Sequence, residues 1–229
     1  MSLYDRDYTK ESYEIEEESA YQGRVSTFVK DTYKLVAASL IAAVAGAFIG
    51  MSFMPVSGFL MPLLISLALI FGISYADKAG RATLALGLLF VFTFFMGLTL
   101  GPVLSFYQGI GAGHVVTQAF IATAVVFGGL TLYAMNTKID FSSWGRPLFF
   151  ILIGVVIAGL LNYFLFKSTV GSLLISSVTA ILFSAYILYD TQNIIKGVYE
   201  SPIMAAVGMF LNILNLFISL LNILGITRD

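Results

Sequence analysis

The segment PLFFILIGVVIAGLLNYFLF, residues 147–166, contains no charged side chain. An apolar helix of roughly 20 residues is long enough to cross the hydrocarbon core of a bilayer, so this segment is typical of a membrane span. The whole chain of 229 residues is 59% hydrophobic and only 11% charged, whereas soluble domains carry roughly 25% charged residues. This composition excludes a soluble globular protein and indicates a multi-span membrane protein.

Similar apolar runs recur along the chain from residue 35 onward. They must be helical, because a bilayer offers no water to unpaired backbone groups and the runs lack the alternation of a barrel strand. Ser201 and Pro202 are typical of an N-cap and a first helical residue, and Pro55 and Gly58 indicate a turn between the first two spans. The sequence thus predicts an all-α bundle of seven transmembrane helices over residues 35–229, at 35–54, 58–76, 82–101, 115–135, 147–166, 171–190 and 203–224.

Residues 1–34 differ from the rest of the chain, because they hold 13 of its 25 charged residues. They show neither the basic start nor the apolar run of a signal peptide. We expect a mobile acidic tail in the cytoplasm, with an arm that binds a partner as the alternative. Ten of the twelve Lys and Arg residues fall in this tail and in the loops on the same side of the membrane, and Lys167 and Arg228 fall on the other. This distribution predicts a cytoplasmic N-terminus and a C-terminus outside.

Several functions are disfavoured by composition. The net charge of −1 provides no basic surface for nucleic acid. The chain has no cysteine and one histidine, His114, in a loop, so thiol, histidine-base and multi-histidine metal chemistry lack their residues. An intramembrane aspartyl protease needs two carboxylates, and only one falls within a predicted span. We therefore expect a protein that is not an enzyme and has no cofactor.

Two of the predicted helices carry a polar stripe. At 100° per residue, the polar side chains of the sixth helix fall within about 80° of one another, and so do those of the seventh. Amides that face lipid would lack partners, so both stripes should face one shared interior. They either join the helices by hydrogen bonds or line a water-filled path for ions. The stripe residues are Ser172, Ser176, Thr179, Tyr186 and Asp190 in the sixth helix and Asn212, Asn215, Ser219 and Asn222 in the seventh.

Asp190 is the single carboxylate within the predicted spans. An ionisable residue inside a membrane is a functional candidate by default. The alternative is that Asp190 lies at the interface, solvated or paired with a cation on the same side. Lys196, Lys78 and Arg81 are the cations that could pair with it.

Three stretches resemble the Bax inhibitor-1 family, also called the transmembrane BAX inhibitor motif family. They are FTFFMGLTLGPVLSFY (92–107), FSAYILYDTQNII (183–195) and LNILNLFISLLNILG (211–225). The resemblance runs from about residue 24 to the C-terminus and suggests a bacterial member. It implies a seven-helix bundle in which the last helix is central and the other six surround it.

The resemblance also implies a function. Family members resemble pH-sensitive calcium leak channels, in which an aspartate of the sixth helix shares a proton with one of the last helix. Asp190 matches the first, but Asn212 stands in place of the second, so we expect weakened pH sensing because an amide has no proton to share. Lys78 and Arg81 partly match a basic cluster that would act as a latch.

We therefore expect a calcium or cation leak of the cell inner membrane, with Asp190, Asn212 and Asn215 along the ion path. Calcium takes six to eight oxygen ligands, so Asp190 should hold this permeant ion only weakly and transiently. The alternative function is an interaction protein that modulates a membrane-bound ATP-dependent protease, as some bacterial relatives resemble. Both functions have the lipid bilayer as the surrounding partner.

Overall fold

The computed structural model describes residues 3–53 and 60–228, and for residues 3–21 and Leu60 it describes the backbone alone. Seven helices in this part of the chain are long and apolar enough to cross a membrane, which confirms the predicted fold class. The helices are α1 (Leu3–Phe53), α2 (Leu60–Lys78), α3 (Ala82–Gly109), α4 (Gly113–Asn136), α5 (Gly145–Leu161), α6 (Thr169–Ile195) and α7 (Pro202–Ile226). The predicted turn at Pro55 and Gly58, and the span ends at Met54 and Gly58, lie outside the described residues.

The first helix extends well before the predicted span. It begins at Leu3. Phe28, Val29 and Tyr33 pack against the core, and Thr32 is fully buried. These side chains are spaced so that one face of a continuous helix meets the bundle. Helix α1 therefore already packs against the bundle before residue 35, within the segment assigned to the tail.

The third helix also extends beyond its predicted end. It continues through Pro102 to Gly109, whereas the predicted span ends at residue 101. Proline is tolerated inside membrane helices because neighbouring helices satisfy the freed backbone groups. Here Gly101 and Pro102 are both buried, and the Ser105 hydroxyl donates to the Met51 carbonyl of α1. Packing against α1 thus keeps α3 helical past the proline.

The seventh helix lies at the centre of the bundle. In its apolar segment 61% of the residues are buried, against at most 39% in any other helix. It contacts α1, α2, α3, α4 and α6. The fifth helix makes no contact with α7 in the described part of the chain, and it packs against α6 instead. The expectation that six helices surround the last one is therefore wrong for α5, which lies outside α6.

The first and third helices approach until their backbones touch, at glycines on both helices. Gly50 in α1 faces Gly101 in α3, Gly46 lies against the Phe94 backbone, and Gly97 lies against the Ala43 backbone. A Cβ atom added at Gly97 would collide with the Ala43 backbone, and one added at Gly101 would collide with the Gly50 backbone. Small residues at this spacing allow two membrane helices to approach until their backbones touch. We call this contact the glycine interface.

The ends of α6 and α7 follow from local sequence. Ser201 accepts a hydrogen bond from the Met204 amide and Pro202 is the first residue of α7, as the sequence predicts. The start of α6 follows a break after α5. At its C-terminal end α5 passes into a π-helical segment, Asn162–Phe166, and Lys167 then adopts a left-handed conformation with φ 48°. Ser168 caps α6 by accepting from the Gly171 amide.

Candidate functional site

The C-terminal end of α6 is unusually polar for a buried segment. The five consecutive residues from Asp190 to Ile194 are all buried, and the first four are polar: Asp190, Thr191, Gln192 and Asn193. A helix buried on every side must be surrounded by other elements. Here those elements are α1, α7, the loop of residues 137–141 and the loop of residues 196–201. This end of α6 is the candidate site.

The Asp190 carboxylate is 5% exposed and each of its oxygens accepts one hydrogen bond. The Tyr199 hydroxyl donates to Oδ1 at 2.7 Å, and the Asn212 amide donates to Oδ2 at 2.6 Å. Both donors are neutral, so they satisfy the oxygens without supplying a positive charge. The site is a buried carboxylate held by one donor from the α6–α7 loop and one from α7.

The loop between α6 and α7 turns Tyr199 back onto Asp190. Gly197 has φ 65°, a left-handed conformation that glycine adopts without strain. The Val198 amide then donates to the Asn193 carbonyl, which closes the turn. Burial, followed by the charge of Asp190, raises the pKa of the Tyr199 hydroxyl far above its ordinary value. Tyr199 therefore remains a hydrogen-bond donor at any physiological pH.

A glycine on α7 leaves room beside the carboxylate. A Cβ atom added at Gly208 would lie 3.3 Å from the Tyr199 hydroxyl and 3.6 Å from Asp190 Oδ2. Any larger side chain would therefore press on both members of the hydrogen bond. This close approach keeps α7 near enough for Asn212 to reach Asp190.

The cations considered for Asp190 are placed elsewhere. Lys196 Nζ lies 2.6 Å from Asp140 Oδ1, on the 137–141 loop. Lys78 and Arg81 are exposed at the end of α2, and neither forms an ion pair within the described ranges. The alternative in which Asp190 is an interfacial residue paired with one of these three is therefore wrong. The basic latch is likewise not in contact with Asp190.

Two neighbours of Asp190 fasten this end of α6 to the surrounding elements. The Gln192 side chain accepts from the Phe141 amide at 2.7 Å and donates to the Ile139 carbonyl at 2.6 Å. Thr191 shares a hydrogen bond of 3.3 Å with the Tyr33 hydroxyl of α1. These contacts fix the rotation of α6 and so the direction in which Asp190 points.

The middle of the two polar stripes forms no shared polar interior. Thr179 donates to the Ile175 carbonyl, Asn215 to the Leu211 carbonyl and Ser219 to the Asn215 carbonyl. Each therefore binds within its own helix, as short polar side chains commonly do. Among the described residues these three join no other helix, so the interhelical hydrogen bond between the stripes is formed at Asp190 and Asn212 and not at these three positions.

The two stripes end in two separate polar regions. Asp190 lies at one end, and at the other Ser176 and Asn222 line an open groove. Along α6, Ser176 and Asp190 are separated by roughly 20 Å at 1.5 Å per residue. Ile187 of α6 and Ile213 and Leu216 of α7 are buried in one hydrophobic cluster, and Tyr186 is partly buried against that cluster.

Metal-binding capacity at the site is low. The described residues include no group of three or more His, Cys, Asp or Glu side chains that could hold a metal ion. Calcium takes six to eight oxygen ligands, whereas Asp190 brings a single carboxylate whose oxygens are already engaged. The arrangement suits a transient cation that replaces Tyr199 and Asn212, and it does not suit a resident metal.

Tyr199 and Gln192 are site residues that the sequence analysis did not single out. Tyr199 lies in a loop, where no helical periodicity indicates its direction. Gln192 could have been found from the sequence. It lies two residues after Asp190 near a helix end, and a neutral amide there must form hydrogen bonds when that end is buried. The enclosure itself depends on elements far away in sequence.

Comparison with known proteins yields one family and a set of bacterial and viral relatives. The profile of the family described as "Inhibitor of apoptosis-promoting Bax1" matches residues 25–229. An uncharacterized protein of Campylobacter jejuni is 49% identical, over 98% of this chain and 97% of its own length. An uncharacterized membrane protein of Vibrio cholerae is 43% identical, over 88% of this chain and 90% of its own. A Golgi anti-apoptotic protein of vaccinia virus is 37% identical, over 71% of this chain and 66% of its own.

Proposed function

The chain belongs to the Bax inhibitor-1 family, and from this premise we propose that it is a slow cation leak that conducts calcium across the cell inner membrane. The ion path runs between α6 and α7, past Asp190, Asn212 and Asn215. In the orientation that the cation distribution predicts, Asp190 lies near the cytoplasmic end and the groove at Ser176 and Asn222 lies near the outer end.

One observation carries this proposal: Asp190 is buried at a helix end with two neutral donors and no cation bound to it in the described part of the chain. A buried carboxylate that served packing alone would be stabilised by a paired charge or replaced by a neutral side chain. A carboxylate left without a countercharge attracts a mobile cation. Its hydrogen bonds to Tyr199 and Asn212 are contacts that an arriving cation can replace.

Apolar packing of α6 and α7 accounts for a slow leak. Ile187 of α6 and Ile213 and Leu216 of α7 are buried in one hydrophobic cluster, so in this proposal an ion crosses only when α6 and α7 separate or rotate. Such collective helix motions take microseconds to milliseconds or longer. The conformation described here is thus a closed state of the proposed path.

The direct test is calcium flux into liposomes that hold the purified protein, with wild type compared with Asp190→Asn. We expect flux above that of empty liposomes, and a large loss of flux in the variant because the attracting charge is gone. Asp140→Asn is the matched control, since it removes an exposed carboxylate of the neighbouring loop. Folding of each variant is checked by circular dichroism and size-exclusion chromatography.

Two outcomes would overturn the leak. The first is a folded wild type with no flux, and the second is equal flux from wild type and Asp190→Asn. Either result would favour the alternative function, a protein that restrains a membrane-bound protease through its acidic N-terminal segment. Deletion of residues 1–20 separates these functions, because a leak keeps its flux whereas a partner held by this segment is lost from a pull-down.

A second variant tests the role of Asn212 in pH sensing. Its amide lies 2.6 Å from Asp190 Oδ2, so Asn212→Asp places two carboxyl groups within reach of one shared proton. We expect the variant to gain a flux that changes with pH between about pH 5 and about pH 8, more steeply than wild type. Unchanged pH profiles would contradict the proposed pairing.

A further inference from the structure

A groove of about 740 Å³ opens at the N-terminal end of α6, on the side opposite the Asp190 end. The end of α5, the π-helical segment, the start of α6 and the end of α7 form its walls. We call it the α6 groove. It contains polar side chains at two depths and apolar side chains along its open face.

The rim of the α6 groove is positive. Lys167 is exposed there and forms no ion pair within the described ranges. The backbone N–H groups of Thr169 and Val170 begin α6 and have no acceptor in the described part of the chain. Unpaired N–H groups and the helix dipole make a helix N-terminus attractive to anions. The adjacent lysine adds a full charge to this effect.

A second, independent feature lies deeper in the α6 groove. Ser176 is 8% exposed, lines the groove and makes no hydrogen bond to any described residue. Its neighbour Ser177 behaves differently, because it donates to the Leu173 carbonyl at 2.8 Å. The Ser176 hydroxyl oxygen is not fully enclosed, so it opens to the groove, where a ligand or water can accept its proton. Ser176 thus indicates an acceptor within the groove.

Ser172 supplies another donor between Ser176 and the rim. Its oxygen accepts from the Asn162 amide at 2.9 Å, which leaves its own proton free for a ligand. Asn162 also accepts from the Ser168 amide, so it ties the π-helical segment to the start of α6. This clasp holds the polar wall of the groove in place.

The open face of the α6 groove is apolar. Tyr163 and Phe164 line it and are 69% and 67% exposed, which places their rings against lipid in a membrane-spanning helix. A soluble anion would gain nothing from these rings. A molecule that carries both a phosphate and hydrocarbon chains would contact the polar rim and the rings together.

We propose that the α6 groove binds an anionic phospholipid from the surrounding leaflet. Its phosphate lies at Lys167 and the first N–H groups of α6. Its ester carbonyls accept from Ser172 and Ser176, which lie roughly 5 and 10 Å further along the helix, and its acyl chains run along Phe164. A phospholipid in a bilayer presents its phosphate, its ester carbonyls and its acyl chains in the same order from the surface inward. The inference concerns the groove in which the proposed ion path also ends, and its test measures lipid alone, so it can fail while the leak stands.

The test is the retention of lipid by the purified full-length protein, measured by native mass spectrometry. The protein is incubated in detergent with phosphatidylglycerol or with phosphatidylcholine of the same acyl chains. We expect the wild type to retain more phosphatidylglycerol than phosphatidylcholine. The amount of phosphatidylglycerol retained should be about fivefold lower in Lys167→Asn, since one basic residue near an anionic lipid contributes about 1 kcal/mol. Asparagine tolerates the left-handed conformation at residue 167, and exposed Lys138→Asn is the matched control.

The deeper donor is tested by a second pair of variants. Ser176→Ala removes the unpartnered hydroxyl and should lower retention of both lipids, whereas Ser177→Ala removes a hydroxyl already bonded within α6 and should leave retention unchanged. Equal retention of the two lipids by wild type would overturn the proposal, as would unchanged retention in Lys167→Asn. Displacement of the lipid by inorganic phosphate or by glycerol 3-phosphate would identify a site for free anions and would also overturn it.

Discussion

The glycine interface between α1 and α3 and the polar end of α6 against α7 hold two helix pairs together by different contacts. At the glycine interface backbones touch, and a Cβ atom at Gly97 or Gly101 would have no space. At the polar end the helices are joined by side-chain hydrogen bonds, such as that from Asn212 to Asp190.

This difference bears on which part of the bundle can move. Backbone contacts of this kind have no alternative partner in lipid or water, so separating α1 from α3 only loses packing. Hydrogen bonds to a carboxylate can be exchanged for water or a cation. The comparison therefore indicates that α1 and α3 form a fixed pair, whereas the end of α6 and α7 is the part able to rearrange.

The largest expected effect comes from closing the space at the glycine interface. Gly97→Ala should lower the free energy of unfolding by about 3 kcal/mol, because its methyl group would overlap the Ala43 backbone and overpacking has few ways to relax there. Gly87→Ala, in the same helix, is the matched control, since nothing lies within 4 Å of its added Cβ. Unfolding in a denaturing detergent measures both variants.

Similar free energies of unfolding for these two variants would contradict a fixed α1–α3 pair. They would mean that α1 and α3 adjust easily and are no more fixed than the α6–α7 end. A large loss of stability in Gly97→Ala alone would support the fixed pair.

A smaller effect is expected at the polar end. Tyr199→Phe removes one of the two donors to Asp190 and should cost about 2 kcal/mol, in the range of hydrogen bonds to charged groups. Calcium flux through the proposed path should also rise, because one of the contacts that hold the closed state is lost. Tyr189→Phe is the control, since the Tyr189 hydroxyl makes no hydrogen bond to a described residue. Reduced stability with unchanged flux would show that Tyr199 does not limit conduction.

The smallest effect is expected at the exposed ion pair that borders the site. Hydrogen bonds from Lys196 and then from Ser142 hold the pKa of Asp140 below its ordinary value of 3.8. Because the folded pKa is the lower one, the stabilisation is fully present above the ordinary value and is lost as the pH falls towards the folded pKa. Asp140→Asn should therefore be slightly less stable than wild type at neutral pH.

The pH dependence provides the check on this last prediction. The difference in melting temperature between Asp140→Asn and wild type should shrink as the pH falls below about 4. A difference that grows on acidification would show that Asp140 does not act through its charge.

The sequence predicted the two central residues of the candidate site but not the elements that bury it. The helical period places Asp190 and Asn212 on faces that point into the bundle, and the structure joins their side chains at 2.6 Å. Tyr199 was missed because its position depends on how the loop folds back. Thr179 and Ser219 form no hydrogen bond between helices, because each hydroxyl found an acceptor within its own helix.

The number of helices, their approximate limits and the family were determined by the sequence itself, since hydrocarbon thickness sets the length of an apolar run and backbone groups in lipid must pair within a helix. Tertiary structure alone decided which helices touch, that α5 stays outside α6, and that Lys196 binds Asp140. As a result Asp190 has no cation partner among the residues that the structure describes. The physical reason is that periodicity gives the direction in which a side chain points, whereas a hydrogen bond or an ion pair depends on partners brought close by the whole bundle.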